Sequence, residues 1–154
     1  MILKHDIVWT CKPFDQLSPK ELYAILQLRN EVFVVEQNCI FQDADDKDQL
    51  SWHLMGWDQD RLAAYTRLVP PGTSYREASI GRVVTFPKMR KTGIGKILME
   101  KSINLVYTLW NKQPIRIGAQ VYLQKFYESF GFQQCSTIYL EDNIEHLQMI
   151  LHAE

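Results

Sequence analysis

The chain has 154 residues, of which 46% are hydrophobic and 23% charged, and its formal net charge at pH 7 is −1. These values are close to the averages of globular proteins and exclude a disordered, collagen-like or coiled-coil chain. A net charge this small shows no excess of positive residues, so neither a nucleic acid nor a membrane is expected as a partner.

The length fits one domain over 1–154, and neither an internal repeat nor a linker-like stretch divides it. The three cysteines, Cys11, Cys39 and Cys135, are far apart in the chain. The first residues, MILKHDIVWT, lack a positive segment followed by a long apolar stretch, and no apolar run approaches the roughly 20 residues that cross a bilayer. We therefore expect a cytoplasmic protein without a disulfide framework.

The first half of the chain predicts four strands and one helix, beginning with a strand at 2–11. Ser18 precedes Pro19 and is followed by Glu21, a capping box that begins a helix extending to about residue 36. Apolar residues then favour strands at 51–57, 62–69 and 77–86, the first two joined by a hairpin turn at 58–60 and the third ended by Pro87.

The second half predicts two more helices and three strands. Ile94, Leu98 and Leu105 belong to a helical repeat over 93–111. A strand follows at 115–120, then a helix at 122–130 that Gly131 ends, and two strands at 132–140 and 145–152. The order β-α-β-β-β-α-β-α-β-β predicts an α/β (α+β) fold, a mixed and mostly antiparallel sheet of about seven strands with helices on both faces.

The segment FPKMRKTGIGK at 86–96 places Gly93 and Gly95 between a strand and a helix. Unpaired N–H groups at the start of a helix bind anions, and glycine lets a ligand approach the backbone closely. Ile97 after Lys96 excludes a nucleotide-binding P-loop, and Leu98 excludes a dinucleotide fingerprint because it stands where the last glycine belongs. These residues alone leave a purely structural turn open.

RKTGIG at 90–95 resembles the R/Q-x-x-G-x-G/A signature of the GNAT acyltransferases, and FYESFGF at 126–132 resembles a second segment of that family. The predicted order of elements is also similar to the GNAT order. Further stretches, including RNEVFVVEQ at 29–37 and AQVYLQKFY at 119–127, are similar to the ElaA-type branch of acetyltransferases. Lys91 and Tyr122 depart from that branch, which more often has glycine and histidine there.

The resemblance implies acetyl-CoA as the donor and direct N-acetyl transfer from its thioester to a primary amine. The CoA pyrophosphate is expected on the turn, at Arg90, Lys91, Thr92, Gly93, Ile94, Gly95 and Lys96. The pantetheine arm is expected beside Val83, Val84 and Thr85. Gln120 stands where many members have asparagine and is a further candidate contact to the cofactor.

An alkylamine with a pKa near 10.4 is protonated at pH 7 and needs a base, while the departing thiolate can accept a proton. The resemblance makes Tyr127 the candidate acid. Glu36 is a candidate base because it shares one face of the first helix with Arg29, provided that the helix persists. Further candidate bases are His53, Glu141 and His146, and the candidate contacts to the acceptor are Arg29, His53 and Glu141.

The run DADDKD at 43–48 is a cluster of carboxylates. Lys47 and Asp48 break the calcium-loop pattern, and no spacing of cysteine or histidine suits zinc, so no metal is predicted. We expect either a solvated loop or a surface that attracts a cationic amine.

Two other functions stay open. The first half of the chain also resembles the acyl-homoserine-lactone synthases, whose donor is usually an acyl carrier protein and which generally lack the R-x-x-G-x-G turn. GNAT members often carry a glutamate before that turn, but GRVVT at 81–85 has no carboxylate, which leaves open a non-catalytic CoA-binding or scaffold domain. The acceptor is expected to be a small-molecule or peptide amine, and a homodimer stays open.

Overall fold

The structure is a computed structural model that describes residues 6–153. Three α-helices and eight strands alternate along these residues. The helices are α1 (Pro19–Arg29), α2 (Ile94–Trp110) and α3 (Gln124–Glu128). The strands are β1 (Val8–Pro13), β2 (Trp52–Asp58), β3 (Arg61–Val69), β4 (Ser79–Thr85), β5 (Ile115–Gln120), β6 (Gln133–Gln134), β7 (Tyr139–Glu141) and β8 (Ile144–Leu151).

The strands form two antiparallel sheets of four. The first has the order β1-β2-β3-β4, and in the second β8 lies between β5 on one side and β6 and β7 on the other. One parallel bridge between Ala78 and Ile115 joins the sheets, and Arg116 N there donates to the Ala78 carbonyl at 3.0 Å. Within 6–153 no other pairing connects β4 to β5, so the two strands splay apart beyond the bridge.

A β-bulge shapes β4 on the side of this opening. Tyr65 of β3 pairs with Val84, and Arg67 pairs with Gly81. Between these two pairs β4 therefore contains one residue more than β3. Arg82, inside the bulge, has a φ of +51°, a left-handed conformation that an arginine adopts only under constraint. The bulge bends β4 away from regular pairing next to the splayed edge.

Helices cover both faces of the first sheet. Met55 and Tyr65 pair across β2 and β3 and face α1, where they pack with Ile25 and Leu28. Leu54 lies on the opposite face and packs with Leu98 of α2. This alternation follows from the two-residue period of a strand and confirms the prediction of helices on both faces.

The capping box is confirmed in detail. Glu21 N donates to Ser18 Oγ at 3.0 Å, and Ser18 N donates to Glu21 Oε1 at 2.8 Å. The helix continues to residue 36 as predicted, but only to Arg29 as an α-helix. Asn30–Glu36 is π-helical, with a wider turn in which Gln37 N donates to the Val32 carbonyl at 3.2 Å.

Two strand predictions need correction. The strand at 132–140 is interrupted, and β6 and β7 occupy only its two ends. The break lies where Gln148 N of β8 donates to the side-chain Oγ of Ser136 at 2.8 Å, so a hydroxyl replaces a backbone partner. The first strand begins at Val8 and ends at Pro13; residues 2–5 of the predicted strand lie outside the described residues. Within 6–153 no helix is long and apolar enough to span a membrane.

Candidate active site

A cleft of about 1080 Å³ opens where β4 and β5 splay apart. This volume is slightly above the range of about 300–1,000 Å³ that is typical of a site for one small molecule. One side of the cleft is lined by the π-helical segment and the loop after it, and another by the bulged β4 and the glycine turn. The remaining wall comes from β5, α3, β7 and β8. Every one of these elements supplies side chains to one continuous cavity.

The glycine turn leads into α2 in a conformation that leaves its amides open. Lys91 and Gly93 both have a positive φ, of +65° and +90°, and no side chain caps the N-terminus of the helix. A Cβ added at Gly93 would meet no atom within 4 Å, so the space above this backbone is empty. Such a turn presents N–H groups and the positive end of the helix dipole to an anion.

The predicted donor-side residues divide into two groups. Those that line the cleft are Val83, Val84, Thr85, Arg90, Lys91, Ile94, Gly95 and Gln120. Thr92, Gly93 and Lys96 belong to the same turn but lie outside the lining, and Thr92 Oγ1 is engaged in donating to the Met89 carbonyl at 2.6 Å. The motif therefore brings together most of the residues that were assigned to the donor.

Tyr127 lies on α3 at the wall of the cleft, with only 6% of its surface exposed. Its ring packs edge-on against Phe126 and Phe132, at centroid distances of 5.2 and 6.2 Å. Burial, and secondly the charge of nearby Tyr122, raises the pKa of Tyr127 well above the usual value of a phenol. The group therefore stays protonated at neutral pH, and because the raised pKa makes it a weaker acid, it is better suited to donate a hydrogen bond than to give up its proton.

Glu36 and Arg90 form an ion pair across the mouth of the cleft. Arg90 Nη2 donates to Glu36 Oε1 at 2.6 Å and Nη1 donates to Oε2 at 3.0 Å, so both carboxylate oxygens are occupied. This hydrogen bond and the charge of Glu36 raise the pKa of Arg90 further. A base role for Glu36 therefore competes with a bidentate ion pair.

Arg29 and His53 were expected to contact the acceptor, but the structure places both away from the cleft lining, with no exposed surface. Arg29 donates to the carboxylates of Asp43 and Asp48, each at 2.8 Å. His53 Nε2 donates to the Asp48 carbonyl at 2.9 Å, and its Nδ1 accepts from Tyr65 Oη at 2.6 Å. Their hydrogen bonds and burial fit a structural role between α1, which carries Arg29, and the first sheet, in which β2 carries His53.

Three of the four aspartates of the acidic loop are paired with arginines, and the fourth, Asp46, is exposed. Asp43, Asp45 and Asp48 are paired with Arg29, Arg67 and Arg82 at distances from 2.7 to 3.3 Å, three negative charges against three positive ones. Attraction of a cationic amine by these carboxylates is therefore not supported. Because Arg82 sits in the bulge of β4 and binds Asp43, the loop is tied directly to the strand that borders the donor side.

These ion pairs set the titration of the aspartates. Burial raises the pKa of Asp45, but hydrogen bonding and the charge of Arg67 outweigh it and hold that pKa well below the usual range. The pKa of Asp48 is also lowered, because bonds to Arg29 and Arg67 exceed the effect of burial. Both groups are ionised throughout the neutral range.

The second sheet contributes a polar face on which three candidates from the sequence, Gln120, Glu141 and His146, meet. In β8, His146 pairs with Gln120 of β5 on one side and with Tyr139 of β7 on the other, so their side chains project to the same face. Glu141, one of the predicted acceptor contacts, lies on this face with His146, and both line the cleft.

Gln37 reaches this face from the end of the π-helical segment. Its side-chain amide and that of Gln120 donate to each other, at 3.2 and 3.3 Å. Tyr75 completes the wall from the loop before β4. These residues come from separate segments of the chain, so no local spacing reveals that they meet.

Comparison with known proteins gives a consistent result. A profile of the Acetyltransferase (GNAT) domain family matches residues 15–153. The protein ElaA of Escherichia coli (strain K12) is 41% identical over 145 residues, which cover 93% of this chain and 95% of that protein. The crystal structure of Escherichia coli ElaA is similar to this structure with a TM-score of 0.89 and a sequence identity of 39%, and the match covers 95% of this chain and 99% of that one.

Two other crystal structures are similar. An acyl-CoA N-acyltransferase from Pseudomonas aeruginosa is 42% identical, with a TM-score of 0.91 over 95% of this chain and 99% of that one. A CoA-dependent acyl-homoserine lactone synthase, BjaI, reaches a TM-score of 0.80 over 96% of this chain and 84% of that one, but at 13% identity the likeness is one of fold alone.

Proposed function

The chain belongs to the GNAT acetyltransferase family, and from this premise we propose that it transfers an acetyl group from acetyl-CoA to a primary amine. The observation that carries the proposal is the uncapped glycine turn at the edge of a cleft formed by two splayed strands. The acceptor is a small-molecule or peptide amine. Cytoplasmic location and a homodimer remain predictions.

The donor side fits CoA in charge and in shape. The turn offers backbone N–H groups at the positive end of α2, with Arg90 and Lys91 beside it, which suits a pyrophosphate. Val83 lines the cleft and has no register partner on β3, so we assign the pantetheine arm to the backbone beside it. The empty space above Gly93 leaves room for the phosphate groups.

The donor brings a thioester, whose carbon is open to attack by a neutral amine. At pH 7 an alkylamine with a pKa near 10.4 is neutral in only about one molecule in a few thousand, a deficit of roughly 4–5 kcal/mol. The protein must therefore remove a proton from the amine. We assign Tyr127, which burial keeps protonated, as the hydrogen-bond donor to the sulfur as its negative charge develops.

Glu36 and Arg90 take a different part in this proposal. A carboxylate held by two charge-assisted hydrogen bonds is a weak proton acceptor. The guanidinium of Arg90 can bind either Glu36 or a phosphate, so we assign this pair to the donor side, where Glu36 holds Arg90 in place at the mouth.

The test combines turnover with binding. Wild-type protein is assayed with acetyl-CoA against a panel of alkylamines, peptides and aminoglycosides by release of free thiol, and binding of acetyl-CoA is measured by calorimetry. Gly93→Glu puts a negative charge at the proposed phosphate site and should lower the affinity at least tenfold. Gly93→Ala is the matched control, because it meets the same backbone strain at a φ of +90° but adds no charge.

Unchanged affinity in Gly93→Glu, or equal losses in both variants, would contradict the assignment of the turn to the donor. Tight binding of acetyl-CoA with no acetylation of any amine would instead favour a CoA-binding domain without catalysis. Acyl-homoserine lactones, detected by mass spectrometry in cells that express the protein, would favour the synthase-like alternative.

A further inference from the structure

We propose that His146 is the general base of the reaction and that it lies in a subsite for a primary alkylammonium ion. This inference rests on the proposed function and assigns the acceptor half of the cleft. His146 lines that cleft from β8, with 8% of its surface exposed, between Gln120 and Tyr139 in the sheet register.

The hydrogen bonding of His146 prepares it to accept a proton. Nδ1 lies 2.7 Å from the Ile144 carbonyl, which can only accept, so Nδ1 carries the hydrogen. In the neutral ring the lone pair is then on Nε2. Nε2 lies 3.5 Å from Glu141 Oε2, so a proton taken by Nε2 faces a carboxylate oxygen.

The other candidate bases are less available. His53 has both ring nitrogens occupied by Tyr65 and Asp48 and lies outside the cleft. Glu36 is held by Arg90 through both oxygens. Glu141 is 62% exposed at the side chain, where water competes for it, and it is better suited to orienting its neighbour. Of the two histidines proposed from the sequence, His146 is the one in the cleft, and no hydrogen bond to its Nε2 is found among the described residues.

The surroundings of His146 suit a cation. Tyr139 stacks on the imidazole at a centroid distance of 6.0 Å, and the phenol oxygens of Tyr75 and Tyr139 converge over Gly118. A Cβ at Gly118 would lie 3.1 Å from Tyr75 Oη and 3.3 Å from Tyr139 Oη. The two phenols can take these positions because residue 118 has no side chain. Phenol oxygens and aromatic faces beside a carboxylate are a favourable setting for an alkylammonium group.

The proton and bond changes balance within this arrangement. Nε2 of His146 takes one proton from the bound alkylammonium ion, and the lone pair left on the nitrogen forms the new C–N bond. As the C–S bond of the thioester breaks, the second proton that the nitrogen loses passes to the departing thiolate, which leaves as the thiol, while the hydroxyl of Tyr127 donates a hydrogen bond to the sulfur. His146 then returns its proton to solvent beside Glu141.

The experiment compares two acceptors in the intact protein. For the best alkylamine of the panel, His146→Gln should lower kcat/KM by about 10²–10³, because general base catalysis contributes on that scale. A β-trifluorinated analogue of the same amine is mostly neutral at pH 7 and needs no deprotonation before it attacks, so its penalty should be at least tenfold smaller. Acetyl-CoA affinity should not change, and His152→Gln, which alters an exposed histidine just beyond β8, is the matched control.

Two further measurements keep the base and the subsite separately testable. The ¹⁵N chemical shifts of the His146 ring should show the Nδ1–H tautomer in wild-type protein, whether or not an acceptor has been found. Gly118→Ala should raise KM for the amine at least tenfold by displacing the phenols, without changing acetyl-CoA affinity.

An Nε2–H tautomer, or equal penalties for the two amines in His146→Gln, would overturn the base role while leaving acetyl transfer intact. An unchanged KM in Gly118→Ala would overturn the subsite. A wild-type protein that binds acetyl-CoA but acetylates no amine would refute the proposed function itself, and the base role with it.

Discussion

Replacing Arg29 by alanine should destabilise the protein by about 3–5 kcal/mol. The guanidinium has no exposed surface and donates to Asp43 Oδ2 and Asp48 Oδ1, both at 2.8 Å, and to the Asp43 carbonyl at 3.1 Å. Each charge-assisted bond contributes about 1.5–3 kcal/mol, and loss of one partner leaves buried charge behind. Since Asp43 keeps Arg82 and Asp48 keeps Arg67, we expect the range typical of a broken buried ion pair rather than the sum of three bonds.

The measurement is urea unfolding followed by circular dichroism at pH 7, with thermal unfolding in parallel. A chain of this length shifts by roughly 2–4 °C per kcal/mol, so Tm should fall by about 6–20 °C. Lys12→Ala is the control: it removes a partly exposed ion pair to Glu21, with a distance of 3.0 Å, and should change the free energy of unfolding by less than about 1 kcal/mol.

Arg29→Lys gives an intermediate case, because lysine keeps the charge but not the fork of donors. It remains measurable even if the alanine variant does not fold. A loss in Arg29→Ala no greater than in Lys12→Ala would refute the view that these ion pairs fix the loop. Equal stability of Arg29→Lys and wild type would show that charge alone is enough.

Two further predictions concern proton donation and acid stability. Tyr127→Phe should lower kcat by at least tenfold and leave the affinity for acetyl-CoA within twofold of wild type. Tyr23→Phe, on the exposed face of α1, is the control. An unchanged kcat in Tyr127→Phe would refute the role of Tyr127 as a donor. The folded-state pKa values of Asp45 and Asp48 lie below the unfolded value of about 3.9, so their contribution to stability is complete above that pH and is lost as pH falls through the folded values. The free energy of unfolding should therefore decrease as the pH falls below about 4. The decrease should be less steep in Arg67→Met than in wild type, and parallel pH profiles for the two proteins would contradict this.

The fold was predictable where neighbouring residues determine it. The capping box at Ser18 and Glu21 marked the start of α1, and the strands around the turn at 58–60 lie within one residue of their predicted bounds. The glycine turn was found because its motif is contiguous and its spacing is specific. In each case the structure is set by interactions within a few residues of the chain.

The remaining features depend on partners far apart in sequence. Arg29 meets Asp43 and Asp48 across 14 and 19 positions, and Arg82 meets Asp43 across 39, so the acidic run looked solvated when read alone. The interruption of the strand at 132–140 depends on a hydroxyl that contacts β8. The polar face around His146 likewise joins five segments of the chain, and no local pattern shows that they meet.

The single bridge between Ala78 and Ile115 also bears on how the cleft is assembled. All strands of the first sheet come from residues 8–85 and all strands of the second from 115–151, while α2 packs against both through Leu98 and Met99. A break in the loop at 111–114 would divide the chain into two fragments, and of the described strand pairings only that bridge would cross between them. The protein is thus suited to fragment complementation, with recovery of acetyl-CoA binding reporting that the two fragments have rejoined.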